Sequence, residues 1–385
     1  MSHANDLIDP VSYLNSTLAS LGSFSHAQKL TGGLINYVWR VQLTMAESGA
    51  SKSVIIKQSL PYLSSNPEIK FSQERTEFEA RALSFFSGRD VPAALSLPVY
   101  LDDSVRQQFS TICVPEILHY DQEKYVIVMQ DMGDHPNIQK WLNGLSDDPS
   151  RAGHIGKLLG LYMAQIHLFG YRHWEQLSPT FDNLPSREVL ADVVYGGVEG
   201  ILENAEIPDS AAIGQLAREF GQSVIDRNTP NAKALTFGDF WSGSVYIDEC
   251  ISGTKSNPYL SLIDWEFFGY SSPGIEISHF AVHIFLIGHT SKDQLVKDAV
   301  RALLQEFFMA YVASTKDTLD MEELYESCCT HFGLELIIEG ASGNWCDAGE
   351  GKKLSAEARA ILDIGLQHLR KGNPQELIMT KLIKP

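Results

Sequence analysis

Apolar residues recur along this chain in two different periods, and the change from one to the other divides it. Up to residue 130 the apolar runs are short: YVWRVQL after a pair of glycines, SVIIKQ at Ser53–Gln58 and KYVIVMQ at Lys124–Gln130. Runs of that length, rich in Val, Ile and aromatics, predict strands. Between the last two, SQERTEFEARALSFF (Ser72–Phe86) spaces Phe78, Ala82, Leu83 and Phe86 at helical intervals, so a helix with those four on one side is predicted. Another short helix is predicted around Pro10–Leu21. At Asp131–Asn143 the composition shifts, and Gly133, Pro136 and Asn137 mark a break. Beyond it the helical period dominates, starting with HIGKLLGLYMAQIHLFG (His154–Gly170). One strand-rich island interrupts the helices, LTFGDFWSGSVYID followed by a turn-rich segment and YLSLIDWEFFGY. From about Pro273 to Pro385 the pattern is again helical with short loops. The outline is an α+β chain of two lobes: residues 1–130 small and strand-rich, residues 131–385 larger and mainly helical.

Composition narrows the function. The 385 residues are 44% hydrophobic and 20% charged, ordinary for a globular chain with a sizeable core. Lys plus Arg number 30 against 48 Asp plus Glu, a formal net charge of −18. General nucleic-acid binding rests on neutralising phosphates with basic residues, so no nucleic-acid partner is expected. A small anion in a local basic pocket remains compatible with that balance. The longest uninterrupted apolar stretch, near Phe280–Gly288, is far short of the ~20 residues of a membrane span, so no membrane partner is expected. The first residues lack a basic start and an apolar signal region. Five cysteines (Cys113, Cys250, Cys328, Cys329, Cys346) without CxxC spacing make a poor disulfide framework and a poor zinc site. The expectation is a cytoplasmic protein with free thiols, monomer or homodimer.

Several residues carry candidate chemistry, each with a plainer alternative. Asp264 and Glu266, two apart on what reads as a strand end, can face one side and hold a hard cation, or can be a solvated strand end. Asp239, flanked by Gly238, Phe240 and Trp241, is an acid in an apolar setting, or a turn residue. Lys57 closes the run Val54-Ile55-Ile56 and either snorkels to solvent or pairs with Glu74, Glu77 or Glu79 of the following helix. Thr31-Gly32-Gly33 lets backbone N–H groups approach phosphates, or is simply a hairpin turn. His167, on an amphipathic helix, reads as a packed core residue rather than a base, and Asn344–Asp347 as a loop between helices. GDFWSGS lacks the G-x-S-x-G pattern, which argues against serine hydrolysis.

The order of these features says more than any one of them. Glycine turn, strand lysine, helix glutamate, apolar strand, hinge, then two aspartates is the order used by protein-kinase-like enzymes. With TGGLINYVWR, SVIIK, ERTEFEARAL, VPEILHYD, VIVMQDMGD, LGLYMAQIH, GDFWSGSVYI and LIDWEFFGYSSPGIEI in sequence, the chain resembles the aminoglycoside phosphotransferase and choline kinase group of small-molecule kinases. Within it the resemblance is to the methylthioribose kinase branch and the related fungal 4-hydroxytryptamine kinases. GDFWSGS and IDWE are the specific segments; the last hundred residues match loosely.

The resemblance implies a two-lobed protein-kinase-like fold, ATP and Mg²⁺ as cofactors, and a small-molecule hydroxyl as acceptor. Position by position it makes Asp239 the catalytic aspartate and Asp264 a Mg²⁺ ligand, with Glu266 a second carboxylate on the metal side. Lys57 would hold the α- and β-phosphates, paired with Glu79, or with Glu77 as the alternative. Thr31 to Asn36, with Gly32 and Gly33, would form the phosphate-covering loop; Gln130, Asp131 and Met132 would be the adenine hinge, with Met129 behind it. Two positions depart from the family. Ser244 stands where most of these kinases have a metal-binding Asn, so it would be a weak ligand with Glu266 supplying the missing charge, as in the methylthioribose kinase branch. Glu276 stands where Asp is usual and is expected to be structural. A hydroxylated arylalkylamine is the expected acceptor, with 5-methylthioribose or another sugar or amino alcohol as the alternative. A nucleotide-binding pseudokinase scaffold is the rival of another class, and retention of Lys57, Asp239 and Asp264 together counts against it.

Overall fold

A computed structural model describes residues 7–31, 33–45, 51–88, 97–249, 258–350, 353–370 and 375–384. They form two compact units. The first comprises the described parts of Met1–Gln107, Ile112–His135 and Ser261–Phe267; the second comprises Gln108–Thr111, Pro136–Leu260 and Phe268–Pro385. The chain therefore returns to the first unit for the segment that carries Asp264 and Glu266.

The first unit opens with helix α1 (Pro10–Thr17), strands β1 (Gly22–Lys29), β2 (Tyr37–Met45) and β3 (Ser51–Gln58), and helix α2 (Arg75–Ser87). Helix α3 (Asp103–Gln108) and strands β4 (Ile112–Cys113), β5 (Ile117–Asp121) and β6 (Val126–Gln130) follow. An antiparallel sheet of order β1-β2-β3-β6-β5 is its scaffold. Side chains alternate across a strand, so Val54 and Ile56 join Trp39, Val41, Leu43, Val126 and Val128 in a core closed by Tyr13 and Leu14 of α1. Ile55 and Lys57 take the opposite face, where α2 packs against β5 and β6. That alternation alone delivers Lys57 to the helix bearing Glu79.

Two boundaries differ from the sequence pattern for identifiable reasons. Helix α1 stops at Thr17 rather than Leu21, because Gly22 already pairs with Met45 and its φ of +149° suits the turn into β1. Strand β1 itself gave no periodic signal: it is a sheet edge, and among its residues only Phe24 is buried. Helix α2 starts at Arg75 rather than Ser72, since the Arg75 guanidinium donates to the carbonyls of Leu60, Phe71 and Ser72 and so organises the turn ahead of it.

The second unit is largely helical. It runs through α4 (Ile138–Asn143), α5 (Ser150–Arg172), α6 (Trp174–Leu177), α7 (Leu184–Val189), a π-helical turn at Leu190–Tyr195, α8 (Val198–Asn204) and α9 (Ser210–Asp226). Short strands β7 (Ala234–Thr236), β8 (Val245–Asp248), β9 (Tyr259–Leu262) and β10 (Gly269–Ser271) form the island. Helices α10 (Pro273–Thr290), α11 (Gln294–Thr315) and α12 (Met321–Ser342) follow, then the hairpin β11 (Gly349–Glu350) and β12 (Lys353–Leu354), α13 (Ala356–Leu369) and α14 (Ile378–Ile383). Among the described residues no helix is long and apolar enough to cross a membrane.

Helix α5 lies against α11 at very close range. A Cβ on Gly156 would stand 2.1 Å from the Leu303 carbonyl oxygen, and one on Gly160 would stand 2.3 Å from that of Phe307. Both obstacles are helix backbone, which cannot rotate aside. Gly160→Ala is therefore expected to destabilise by roughly 1–3 kcal/mol through forced separation of the helices, outweighing the gain of about 1 kcal/mol in helix propensity. Urea unfolding midpoints of the two proteins measure the difference.

Candidate functional site

The first unit gathers its candidate residues around one amine. Lys57 Nζ lies 2.9 Å from Glu79 Oε2 and 3.2 Å from Asp264 Oδ1, and it also donates to Glu266. Lysine at the end of a strand often snorkels to water; here only 5% of the side chain is exposed. Glu79 and Glu266 are equally buried, whereas Asp264 is 49% exposed and presents the accessible oxygens of the group. Glu77, the other candidate partner, is paired with Arg81 instead.

The sequence argument that Asp264 and Glu266 share a side by strand alternation does not hold. Strand β9 ends at Leu262, and Asp264 takes the left-handed conformation with φ +68°. A turn, not a pleat, brings both carboxylates to Lys57. Trp265 between them packs on Phe86, ring centroids 4.3 Å apart, which anchors the turn on α2.

Burial and mutual charge pull against each other in this cluster. Burial alone would push the Lys57 ammonium pKa down, but Glu266, Glu79 and Asp264 reverse this and hold it well above its ordinary value. The carboxyl of Glu266 is pushed up to about 8 by burial, opposed by Lys57 and reinforced by Glu79 and Asp264. Glu79 moves up for the same reasons. A second cation, Arg75, is buried beside them; burial brings it down to about 10 against the pull of Glu266 and Glu79. Two cations stand among three carboxylates, and ligand oxygens of Glu79, Asp264 and Glu266 lie within 4.8 Å of one another. Clustered carboxylate oxygens are the donors a hard divalent cation such as Mg²⁺ takes, so the set fits that ion.

Asn36 belongs to the same cluster. Its Nδ2 donates to Glu266 Oε1 at 3.1 Å, while its Oδ1 accepts from Ser59 Oγ and Arg75 Nε. Thr31 and Gly33 lie exposed in the connection between β1 and β2; Gly32 falls outside the described residues. Sequence reasoning missed Arg75, whose place on a charged helix turn looks like an ordinary wet face.

At the predicted hinge, Gln130 ends β6 and donates its N–H to the Glu116 carbonyl. Met129 is buried and Met132 half-buried. The Asp131 side chain accepts from Arg40 Nε at 2.6 Å, Ser53 Oγ at 2.6 Å and the Gly133 N–H at 3.0 Å. It clamps β2 and β3 to the strand end.

In the second unit Asp239 sits between β7 and β8. Gly238 before it takes φ +91°, and its N–H donates to Glu276 Oε1 at 2.6 Å. The other oxygen of Glu276 is 2.5 Å from His167 Nε2, whose Nδ1 is 2.7 Å from the Tyr311 hydroxyl. His167 is thus the packed, hydrogen-bonded core residue its helix predicts, and Glu276 is structural. Phe240 stacks on Phe280 with centroids 4.4 Å apart, fixing the loop from its other side. Ser244 is buried, accepting from the Trp241 N–H and donating to the Trp241 carbonyl; its hydroxyl closes the loop. Asp239 itself lies 3.3 Å from His279 Nε2, a neighbour the sequence did not reveal because it comes from α10.

Comparison with known proteins gives these positions a family. The profile of the phosphotransferase enzyme family matches residues 26–313. The chain belongs to that family. A 4-hydroxytryptamine kinase of Psilocybe cyanescens is 25% identical over 333 residues, covering 85% of this chain and 84% of its own. The methylthioribose kinase of Exiguobacterium sibiricum is 23% identical, covering 77% and 70%. Among solved structures, amicoumacin kinase hAmiN aligns over 96% of both chains with 13% identity and a TM-score of 0.45. The chain is a phosphotransferase of the small-molecule kinase kind, a membership that implies ATP and Mg²⁺ as cofactors. Its mixed β/α first unit and largely helical second unit are the protein-kinase-like arrangement.

Two outcomes test the first unit. Lys57→Met strands buried carboxylates without their cation and is expected to cost about 3–5 kcal/mol in urea unfolding, partly recovered in the Lys57→Met/Glu79→Gln double variant. The Asp131 carboxyl is held below the ordinary aspartate range: burial pushes it up, but hydrogen bonds from Arg40, Ser53 and the Gly133 N–H outweigh this. A carboxylate more acidic in the folded state adds stability above its unfolded pKa and loses it as pH falls. Asp131→Asn is therefore expected to lower stability by roughly 1.5–3 kcal/mol near neutrality, and the gap in Tm should close below about pH 4.

Proposed function

We propose that this kinase moves the γ-phosphate of ATP to a hydroxyl of a hydroxylated arylalkylamine, such as 4-hydroxytryptamine. The observation that carries the phosphotransfer part is the buried Lys57 amine held among Glu79, Asp264 and Glu266. Phosphoryl transfer needs positioning and neutralisation of phosphate charge more than covalent chemistry. In this reading Lys57 contacts the α- and β-phosphates, and Glu79 fixes the direction of its amine. Asp264 and Glu266 would hold Mg²⁺; the ion supplies neutralisation of the phosphate oxygens when bound. Asn36 keeps Glu266 in place, and the loop from Thr31 to Asn36 would cover the phosphates. The backbone at Gln130, Asp131 and Met132 meets the adenine.

Asp239 accepts the hydrogen bond, and then the proton, of the acceptor hydroxyl, so that an oxygen lone pair points at phosphorus. Gly238 and Glu276 hold its backbone. Support for an amine acceptor comes from likeness to proteins named 4-hydroxytryptamine kinase in two Psilocybe species.

Asp239→Asn is expected to reduce transfer at least about 10²-fold, while ATP with Mg²⁺ still raises the melting temperature. Full activity in that variant would remove Asp239 from the chemistry. ATP consumption against a panel of hydroxylated amines, methylthioribose and amino sugars decides the acceptor. Turnover of methylthioribose alone would replace the amine reading, and nucleotide binding with no acceptor and no hydrolysis would favour a pseudokinase.

A further inference from the structure

The second unit carries a cluster of ligating atoms that phosphotransfer leaves unused. His279 and His283 stand four residues apart on α10, a spacing that puts both imidazoles on one face. Glu335 projects from α12, which packs along α10. His279 Nδ1 lies 2.5 Å and His283 Nε2 3.3 Å from the same carboxylate oxygen, Oε1 of Glu335. One donor atom from each of the three lies within 4.8 Å of the other two. His283 and Glu335 are 7% and 4% exposed.

The surroundings are those of a held ligand set. Metal-binding imidazoles characteristically give their second nitrogen to a carboxylate or carbonyl, which fixes ring orientation and tautomer. His279 meets that description: its Nε2 faces Asp239 Oδ1 at 3.3 Å. The second oxygen of Glu335 is 2.8 Å from His331 Nε2, and His331 Nδ1 is in turn 2.8 Å from the Tyr195 hydroxyl. The indoles of Trp241 and Trp345 stand 5.1 and 5.7 Å from the His283 ring and wall it off. Hydrogen bonding within the cluster leaves one ring nitrogen over. His283 Nδ1 is buried without a hydrogen-bond partner.

We propose that His279, His283 and Glu335 form a binding site for a transition-metal dication of the Zn²⁺ class. Two imidazoles and one carboxylate are borderline donors that suit Zn²⁺ and its neighbours rather than Mg²⁺. The donor set thus differs in kind from the all-carboxylate group around Lys57. A cation on Nδ1 of His279 leaves the ring proton on Nε2, where it is donated to Asp239. Occupancy therefore sets which tautomer Asp239 meets.

The test uses the full-length protein, stripped with chelator and kept in excess Mg²⁺ so that hard-oxygen sites are filled. Titration with Co²⁺ is expected to give one equivalent of visible d–d absorption, displaced by Zn²⁺, and calorimetry with Zn²⁺ the same stoichiometry. His283→Ala and Glu335→Gln should each weaken Zn²⁺ binding at least about tenfold, with folding checked by urea unfolding. His26→Ala, at an exposed position on β1, should leave it unchanged. Should either core variant fail to fold, the partly exposed His279→Gln decides, and it too should lose at least about tenfold. No stoichiometric binding, thiolate-type absorption pointing to cysteine, or affinity unchanged in the variants that fold would overturn the site.

Discussion

Everything in the first unit turns on one buried ammonium among three carboxylates. Lys57 cannot lose its charge without stranding Glu79 and Glu266 in a low-dielectric interior, and they cannot ionise together without it. Arg75 adds a second buried cation beside them. Replacing a buried ionic cluster by apolar residues of similar volume is often neutral or stabilising, so its retention is intelligible for a phosphotransferase. In the function proposed above, the carboxylates would take a hard cation and the amine a phosphate. The sheet exists, in effect, to hold that amine still: β3 lies between β2 and β6, with Lys57 paired opposite Val38 and Ile127.

The second unit solves a different problem, that of holding one aspartate on a loop. Backbone at Gly238 is fixed by a carboxylate from α10, and that carboxylate by a histidine from α5 and, through it, a tyrosine from α11. A chain of buried hydrogen bonds on three helices is rigid only if the helices cannot slide. The approach of α5 to α11, allowed by Gly156 and Gly160, supplies that constraint. Glutamate in place of the family's usual aspartate at 276 gives the reach needed to touch Gly238 and His167 at once.

Much of this was legible in the residues themselves. Ser53–Gln58 read as a strand because its apolar positions are dense and β-branched, and His154–Gly170 as a helix because its apolar positions repeat every three to four residues. The order of lysine, glutamate and two aspartates pointed to kinase chemistry. Strand β1 was not legible, because an edge strand with one buried side chain has no alternation to detect. Nor was Arg75, whose role depends on carbonyls fifteen and fewer residues upstream meeting it in space. His279, His283, His331 and Glu335 were invisible as a group for the same reason: each i,i+4 pair looks like a helix face until the helices pack.

The sequence by itself determined which chemistry the chain carries, because phosphotransfer needs particular groups in a particular order and those survive as local motifs. It also determined the faces: periods of 2 and 3.6 assign sides without reference to a partner. Tertiary structure alone decided the pairings. Glu79 rather than Glu77 meets Lys57, and Asp264 reaches the amine through a left-handed turn instead of a strand pleat. Imidazoles and a carboxylate from α10 and α12 converge beside Asp239. Pairing energies depend on separation and on the dielectric around each group, and neither quantity exists until the chain has folded.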